Sequence, residues 1–178
     1  MTLNYRVDIL MLRDMFDTPK ALIGIYSVGV SLGEKIWLIP DALKDILMSH
    51  LANGSNKEET AKVTRLSLAV ILAMLVAMIL LGKPFILFLY GEEYADAYGI
   101  FLIMLAGVVG MVFYKMIYAH NVVHGKRAVN LVFLGLAAIA NIAGNYFMIP
   151  YGGIFAAAWA SVISYLICGL AFLIYFCV

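Results

Sequence analysis

Residues 21–52 read ALIGIYSVGVSLGEKIWLIPDALKDILMSHLA. The first third is apolar and rich in small residues. The helical pattern then carries on through Glu34, Lys35, Asp41, Lys44 and Asp45. At about 1.5 Å per residue, a helix over 21–52 is about 48 Å long, more than the ~30 Å hydrocarbon core of a bilayer. Ionisable side chains inside a membrane-length helix are costly and need water, a partner or a substrate to face. Pro40 lies inside the stretch and predicts a kink, because it removes one backbone bond and crowds the preceding turn.

Composition points the same way. Of the 178 residues, 65% are hydrophobic and 13% charged, whereas a soluble domain is nearer half apolar and a quarter charged. This balance predicts an integral membrane protein. The net charge of +1 gives no general attraction to nucleic acid. Cys168 and Cys177 stand nine apart in the last apolar run, without companions at ligand spacing, and read as small hydrophobes. No basic leader with a cleavage site precedes the first apolar run.

The chain divides into an expected all-α bundle of about six helices. Residues 1–12 form a helix or its inner end, too short to span alone. RDMFDTPK, residues 13–20, is a polar turn with Asp17 or Thr18 as N-cap before Pro19. The second helix covers 21–52, and 52–62 is a loop by composition. A third helix covers 63–81, ended by Gly82-Lys83-Pro84, with the following PFILFLYG at an interface. The fourth covers 94–120, the fifth 128–149 before Pro150, and the sixth 154–178. If these alternate across a membrane, the loops 52–65 and 121–127 share one side and carry Lys57, Lys62, Arg65, Lys126 and Arg127. The opposite side holds Arg13, Lys20 and Lys83. Five cations against three predicts that loops 52–65 and 121–127 are cytoplasmic.

GIYSVGVSLGEKIWLIPDAL (24–43) resembles the second helix of the C-terminal lobe of bacterial polysaccharide-export flippases. These are oligosaccharide flippases of the multidrug/oligosaccharidyl-lipid/polysaccharide exporter superfamily. NYRVDILML (4–12), LYGEEYADA (89–97) and NVVHGKRAVN (121–130) fall in the order and spacing of that family. The resemblance implies a single transmembrane lobe over 1–178, with its first helix truncated and the N-terminal lobe of a two-lobe transporter absent or supplied by a partner chain. It implies a location in the bacterial inner membrane. Family members often carry a second proline about nine residues after the one matching Pro40; Ser49 stands there here, so a second bend is not expected.

Several polar residues are candidates for function. Glu34, Asp41 and Asp45 share roughly one helical face, with Lys44 off it. Glu34 and Lys35 read as lining a water-filled cavity, whereas Asp41, Lys44 and Asp45 read as a solvated cytoplasmic end with Lys44 snorkelling. Arg6 and Asp8 point to different faces of their helix. Arg6 suits either an interfacial anchor or a forked contact to a pyrophosphate. Lys115 either snorkels to headgroups or faces the cavity. Asn141 and Asn145, four apart, read as hydrogen-bonding glue between helices. Most of the tyrosines and Trp37 read as anchors near helix ends. His120 and His124 lack a carboxylate or cysteine companion, so no metal site is expected. No phosphate loop, metalloprotease or hydrolase signature occurs, and neither an enzyme nor a cofactor is expected.

The resemblance thus implies translocation of a lipid-linked oligosaccharide, an undecaprenyl-pyrophosphate sugar, with Arg6, Glu34, Lys35 and Lys115 lining the substrate cavity. Two alternatives remain open. One is a cation-coupled drug or metabolite exporter of the same superfamily, using Asp8, Glu34 or Asp41 as the ion site. The other is a non-transporting membrane fragment or scaffold that binds membrane lipids and a partner lobe.

Overall fold

The computed structural model describes residues 7–54 and 57–178, which are helical throughout apart from short connections. Arg6 lies outside the described residues. The chain enters as a helix over 7–10 and widens into a π-helical turn, Met11–Met15. Six α-helices follow: α1 Lys20–Lys35, α2 Leu38–Ala52, α3 Lys57–Tyr90, α4 Ala97–Ala106, α5 Val108–Val123 and α6 Arg127–Cys177. No strand occurs among the described residues.

The predicted second helix is α1 and α2 joined by a break at Ile36–Trp37. The break is the signature of Pro40, which has no N–H to offer the carbonyl of Ile36. The turn tightens instead: Ile39 N–H donates to Ile36 O at 3.4 Å and Trp37 N–H to Glu34 O at 3.0 Å. α2 then runs unbroken past Ser49. No side chain caps α1: Pro19, not Asp17 or Thr18, is its N-cap residue, and Asp17 sits at φ 44.

Gly82-Lys83-Pro84 does not end the third helix. α3 continues to Tyr90, so the predicted interfacial segment is its last two turns. A proline inside a helix weakens the ladder one turn back. The carbonyl that Pro84 leaves without a helical donor is that of Leu80; next to it the carbonyl of Ile79 accepts the Tyr98 hydroxyl at 2.7 Å. Gly82 leaves room for the Phe101 ring, which a Cβ at that position would meet at 2.6 Å. The fourth predicted helix is broken at Gly107 into α4 and α5, bent by 45°. The fifth runs through Pro150, and the reversal comes at Gly153. Its φ of 53° with ψ of −133° is open only to glycine. Gly153 divides α6 into two antiparallel limbs, 127–152 and 154–177. Phe133 packs edge-on to Phe172 at 5.2 Å between ring centroids, and a Cβ on Gly144 would touch the Ala160 methyl at 3.1 Å.

The loops after α2 and α5 meet at one end of the bundle. Thr60 Oγ1 is 2.9 Å from His120 Nδ1, and the Lys57 and Lys126 ammonium groups lie over the Phe176 and Tyr175 rings. The start of α1, the turn after α3 and Gly153 gather at the other end, where Tyr94 approaches Gly24 and Phe155 approaches Gly99. The two basic loops therefore share an end.

Lys20–Ala52, Lys57–Tyr90 and Arg127–Cys177 are each long and apolar enough to cross a membrane, and the bent pair α4–α5 qualifies if counted as one span. α6 is twice the length of one crossing, as its two limbs require. The outward faces of α3 and α6 expose Val76, Leu80, Phe88, Leu131, Ile139 and Phe147. The inward faces use small residues for close approach. Gly110 of α5 meets Gly169 and the Tyr165 carbonyl of the second α6 limb, with no space for a Cβ on either glycine.

Gly169→Val is therefore expected to force the two helices apart, at about 1–3 kcal/mol. Gly135 faces open space, so Gly135→Ala should leave stability equal or higher by up to about 1 kcal/mol. Thermal unfolding of the two variants in detergent checks the contrast; equal midpoints would disprove the tight contact.

Candidate functional site

A cleft of about 480 Å³ opens along the α1–α2 break, opposite α5. Its charged lining is Glu34, Lys35, Asp41 and Lys44 from one side and Lys115 from the other; Trp37, Tyr114 and Tyr118 supply its aromatic walls. The break itself brings Glu34, Lys35 and Asp41 onto this one cleft.

Lys115 is the fixed point of the cleft. Its ammonium reaches Asp41 Oδ2 at 2.5 Å and the carbonyl of Trp37 at 3.4 Å. The same nitrogen stands 5.5 Å from the centre of the Trp37 ring. Lys115 thus faces inward and does not snorkel to the chain's end. Asp41 also takes Lys44 at 3.4 Å, and Lys44 takes Asp45 at 3.3 Å. Lys44, although off the face of Glu34 on an ideal helix, joins the cluster from the side. Asp45 stays exposed. Lys35 has no acidic partner among the described residues and reaches the cleft as its unpaired cation.

Asp8 lies elsewhere. Its carboxylate is 1% exposed and sits among α1 and both limbs of α6. Tyr26 donates to Oδ2 at 2.9 Å, Ser161 donates to Oδ2 at 2.5 Å, and the Asn145 amide donates to Oδ1. Asn141 in turn donates to Ser161 Oγ at 3.1 Å. The asparagine pair does join helices, as its spacing suggests, and does so around a carboxylate. Neither Tyr26 nor Ser161 is marked by any sequence signal; each is a hydroxyl-bearing residue in a mostly apolar run.

Between the cleft and this node stand Trp37 and Tyr165, in edge contact at 5.4 Å between ring centroids. Trp37 Nε1, the Tyr165 hydroxyl and Glu34 Oε1 are buried and have no hydrogen-bond partner among the described residues. Buried polar atoms are normally paired, so this cluster retains capacity for a polar ligand. Trp37 is therefore a wall of the site and not an end anchor; Tyr114 and Tyr118 likewise line the cleft.

His120 and His124 stack with 4.0 Å between ring centroids at the basic end, away from the cleft. No group of three His, Cys, Asp or Glu side chains gathers among the described residues in a way that could hold a metal ion.

Chemically, the cleft offers one unpaired ammonium for an anion, carboxylates for hydroxyl groups and aromatic faces for apolar sugar or ring surfaces. Comparison with protein-family models, curated proteins and solved structures returned no significant match.

The ion pair across the cleft is asymmetric. The Lys115 side chain is 8% exposed and that of Asp41 43%. Asp41→Ala strands a buried cation, at about 3 kcal/mol. Lys115→Met leaves a carboxylate that water and Lys44 can still reach, at under about 1 kcal/mol. Chemical denaturation of both variants tests the order; a costlier Lys115→Met would refute it.

Proposed function

We propose that the chain is one lobe of a polytopic membrane exporter that moves a lipid-linked oligosaccharide, an undecaprenyl-pyrophosphate sugar, for polysaccharide biosynthesis. The protein sits in the bacterial inner membrane, with loops 52–65 and 121–127 in the cytoplasm. The observation that carries the reading is the gathering of Glu34, Lys35, Asp41 and Lys115 on one cleft midway along helices of membrane length. In hydrocarbon such charges are tolerated where they face a water-filled cavity. Further support comes from the shared end of the two basic loops, which suits a cytoplasmic face. The four resembling segments at 4–12, 24–43, 89–97 and 121–130 point to the same class.

In this mechanism Lys35 takes the anionic pyrophosphate, because its charge is not already spent on a carboxylate. Lys115 is held by Asp41 and shapes the cleft, giving the headgroup a second positive surface. Glu34 and Asp41 accept hydrogen bonds from sugar hydroxyls, and Trp37, Tyr114 and Tyr118 present flat faces to the rings. A second lobe, in the same protein or a partner chain, closes the cleft. Exposure of the cleft to alternate sides comes from rocking of one lobe against the other.

A cation-coupled exporter is the second reading. The Asp8 carboxylate, set among Asn141, Asn145 and Ser161 between three helical segments, favours it. A carboxylate beside amide and hydroxyl oxygens is the chemistry that a hard cation or a proton takes.

Lys35→Ala, introduced into the intact transporter, is expected to lower surface polysaccharide at least tenfold at unchanged protein level; one lost charge-assisted contact to phosphate supports a change of about that size. Unchanged surface polysaccharide refutes the cargo role. Dye efflux driven by a sodium or proton gradient and abolished by Asp8→Asn would favour the second reading.

A further inference from the structure

On the far side of α1 from the polar cleft lies a second groove, of about 520 Å³, between α1, α3 and α4. Its floor is Gly82, Ile86 and Phe101, all buried, and its rim includes exposed Phe85 and Leu89. The floor exists because Gly82 lacks a side chain and Phe101 turns its ring against that gap. The lining is hydrocarbon except for one residue. That residue is Lys35, which also lines the polar cleft.

Two features identify what fits. The groove runs along α3 from Met74 to Leu89, about 22 Å at 1.5 Å per residue. That is the length of a hydrocarbon tail and not of a compact metabolite. The single polar group at its wall is a cation without an acidic partner among the described residues. A neutral chain gains nothing from Lys35, whereas an anionic headgroup gains a charge-assisted contact where the local dielectric is low. Lys44 and Lys115 cannot serve in this way, because Asp41 and Asp45 hold them.

We propose that this groove is a binding site for one hydrocarbon tail of an anionic lipid, with the lipid phosphate on Lys35. Lys35 is then the junction at which a lipid's charged head turns from the apolar groove into the polar cleft. The inference rests on the membrane reading above but not on the identity of the cargo. Lipid retention and polysaccharide export are separate readouts, so either can fail alone.

The test uses the purified full chain in mixed micelles with dioleoyl phosphatidylglycerol or dioleoyl phosphatidylcholine, with bound lipid counted by native mass spectrometry. One phosphatidylglycerol per chain is retained in preference to phosphatidylcholine. Lys35→Gln lowers that preference about fivefold, the worth of one cation near an anionic headgroup, and Lys35→Arg keeps it. Ala77→Trp and Leu89→Trp each fill the groove from an exposed position and reduce retention of both lipids. Equal retention of the two lipids by the unaltered protein overturns the proposal. So does full retention of phosphatidylglycerol in both tryptophan variants. A dimer that Ala77→Trp dissociates would assign the groove to a second copy of the chain and equally overturn it.

Discussion

The missing amide of Pro40 is the constraint on which the site depends. Without it the carbonyl of Ile36 has no helical donor, and the rod from Lys20 to Ala52 breaks at Ile36–Trp37. The break turns Glu34, Trp37 and Asp41 toward α5. It also leaves the Trp37 carbonyl within reach of Lys115, 3.4 Å away. That carbonyl keeps its helical bond from Asp41 N–H at 3.0 Å and takes the ammonium as a second donor.

A second constraint fixes where α1 stands. Asp8 accepts from Tyr26 of α1, from Asn145 in the first α6 limb and from Ser161 in the second. On the membrane reading, apolar burial supplies no force between these helices, since lipid is as apolar as leucine. Close packing and polar contacts remain. The chain uses both: glycine against glycine at Gly110 and Gly169, and one carboxylate shared by three segments. Removing Asp8 strands three buried donors at once, and an unpaired buried donor costs more than its bond contributed.

The sequence exposed the outline and hid the contacts. Apolar length placed the two limbs of α6, although the first was expected to close at Pro150 and instead runs through it to Gly153; Pro40 located the break in the α1–α2 rod. Proline as a helix stop failed at both Gly82-Lys83-Pro84 and Pro150, since α3 and the first limb of α6 run on through their prolines. At α3 the contacts on that turn, from Tyr98 and Phe101, come from elsewhere in the chain, and no local pattern reveals them. The cost of charge in an apolar helix pointed to a water-facing Glu34 and Lys35; that Asp41 and Lys115 share their cleft was not legible, because Asp41 read as a solvated helix end and Lys115 as a snorkelling side chain. Nor was it legible which lysine is paired. Lys44 meets Asp41 one turn away on α2 and Lys115 meets it across the cleft from α5, while Lys35 on α1 meets no acidic side chain among the described residues. Tyr26, Ser161, Trp37 and Tyr165 went unread as site residues because a lone hydroxyl or indole in an apolar run looks like core or an end anchor.

These two polar centres are not independent. Tyr26 ties the Asp8 node to α1, and α1 carries Glu34 and Lys35 to the cleft. Tyr165, in the limb that supplies Ser161, touches Trp37 at the break. A ligand shifts a structure only as far as its contacts differ between states. Occupancy at Asp8 changes what Tyr26 and Ser161 can bond, and occupancy of the cleft changes what Trp37 and Lys35 can bond. Both centres are attached to α1, which ends at the break. On the proposed reading, a cation at one and a headgroup at the other would both bear on α1, with no need for a wire of side chains between them.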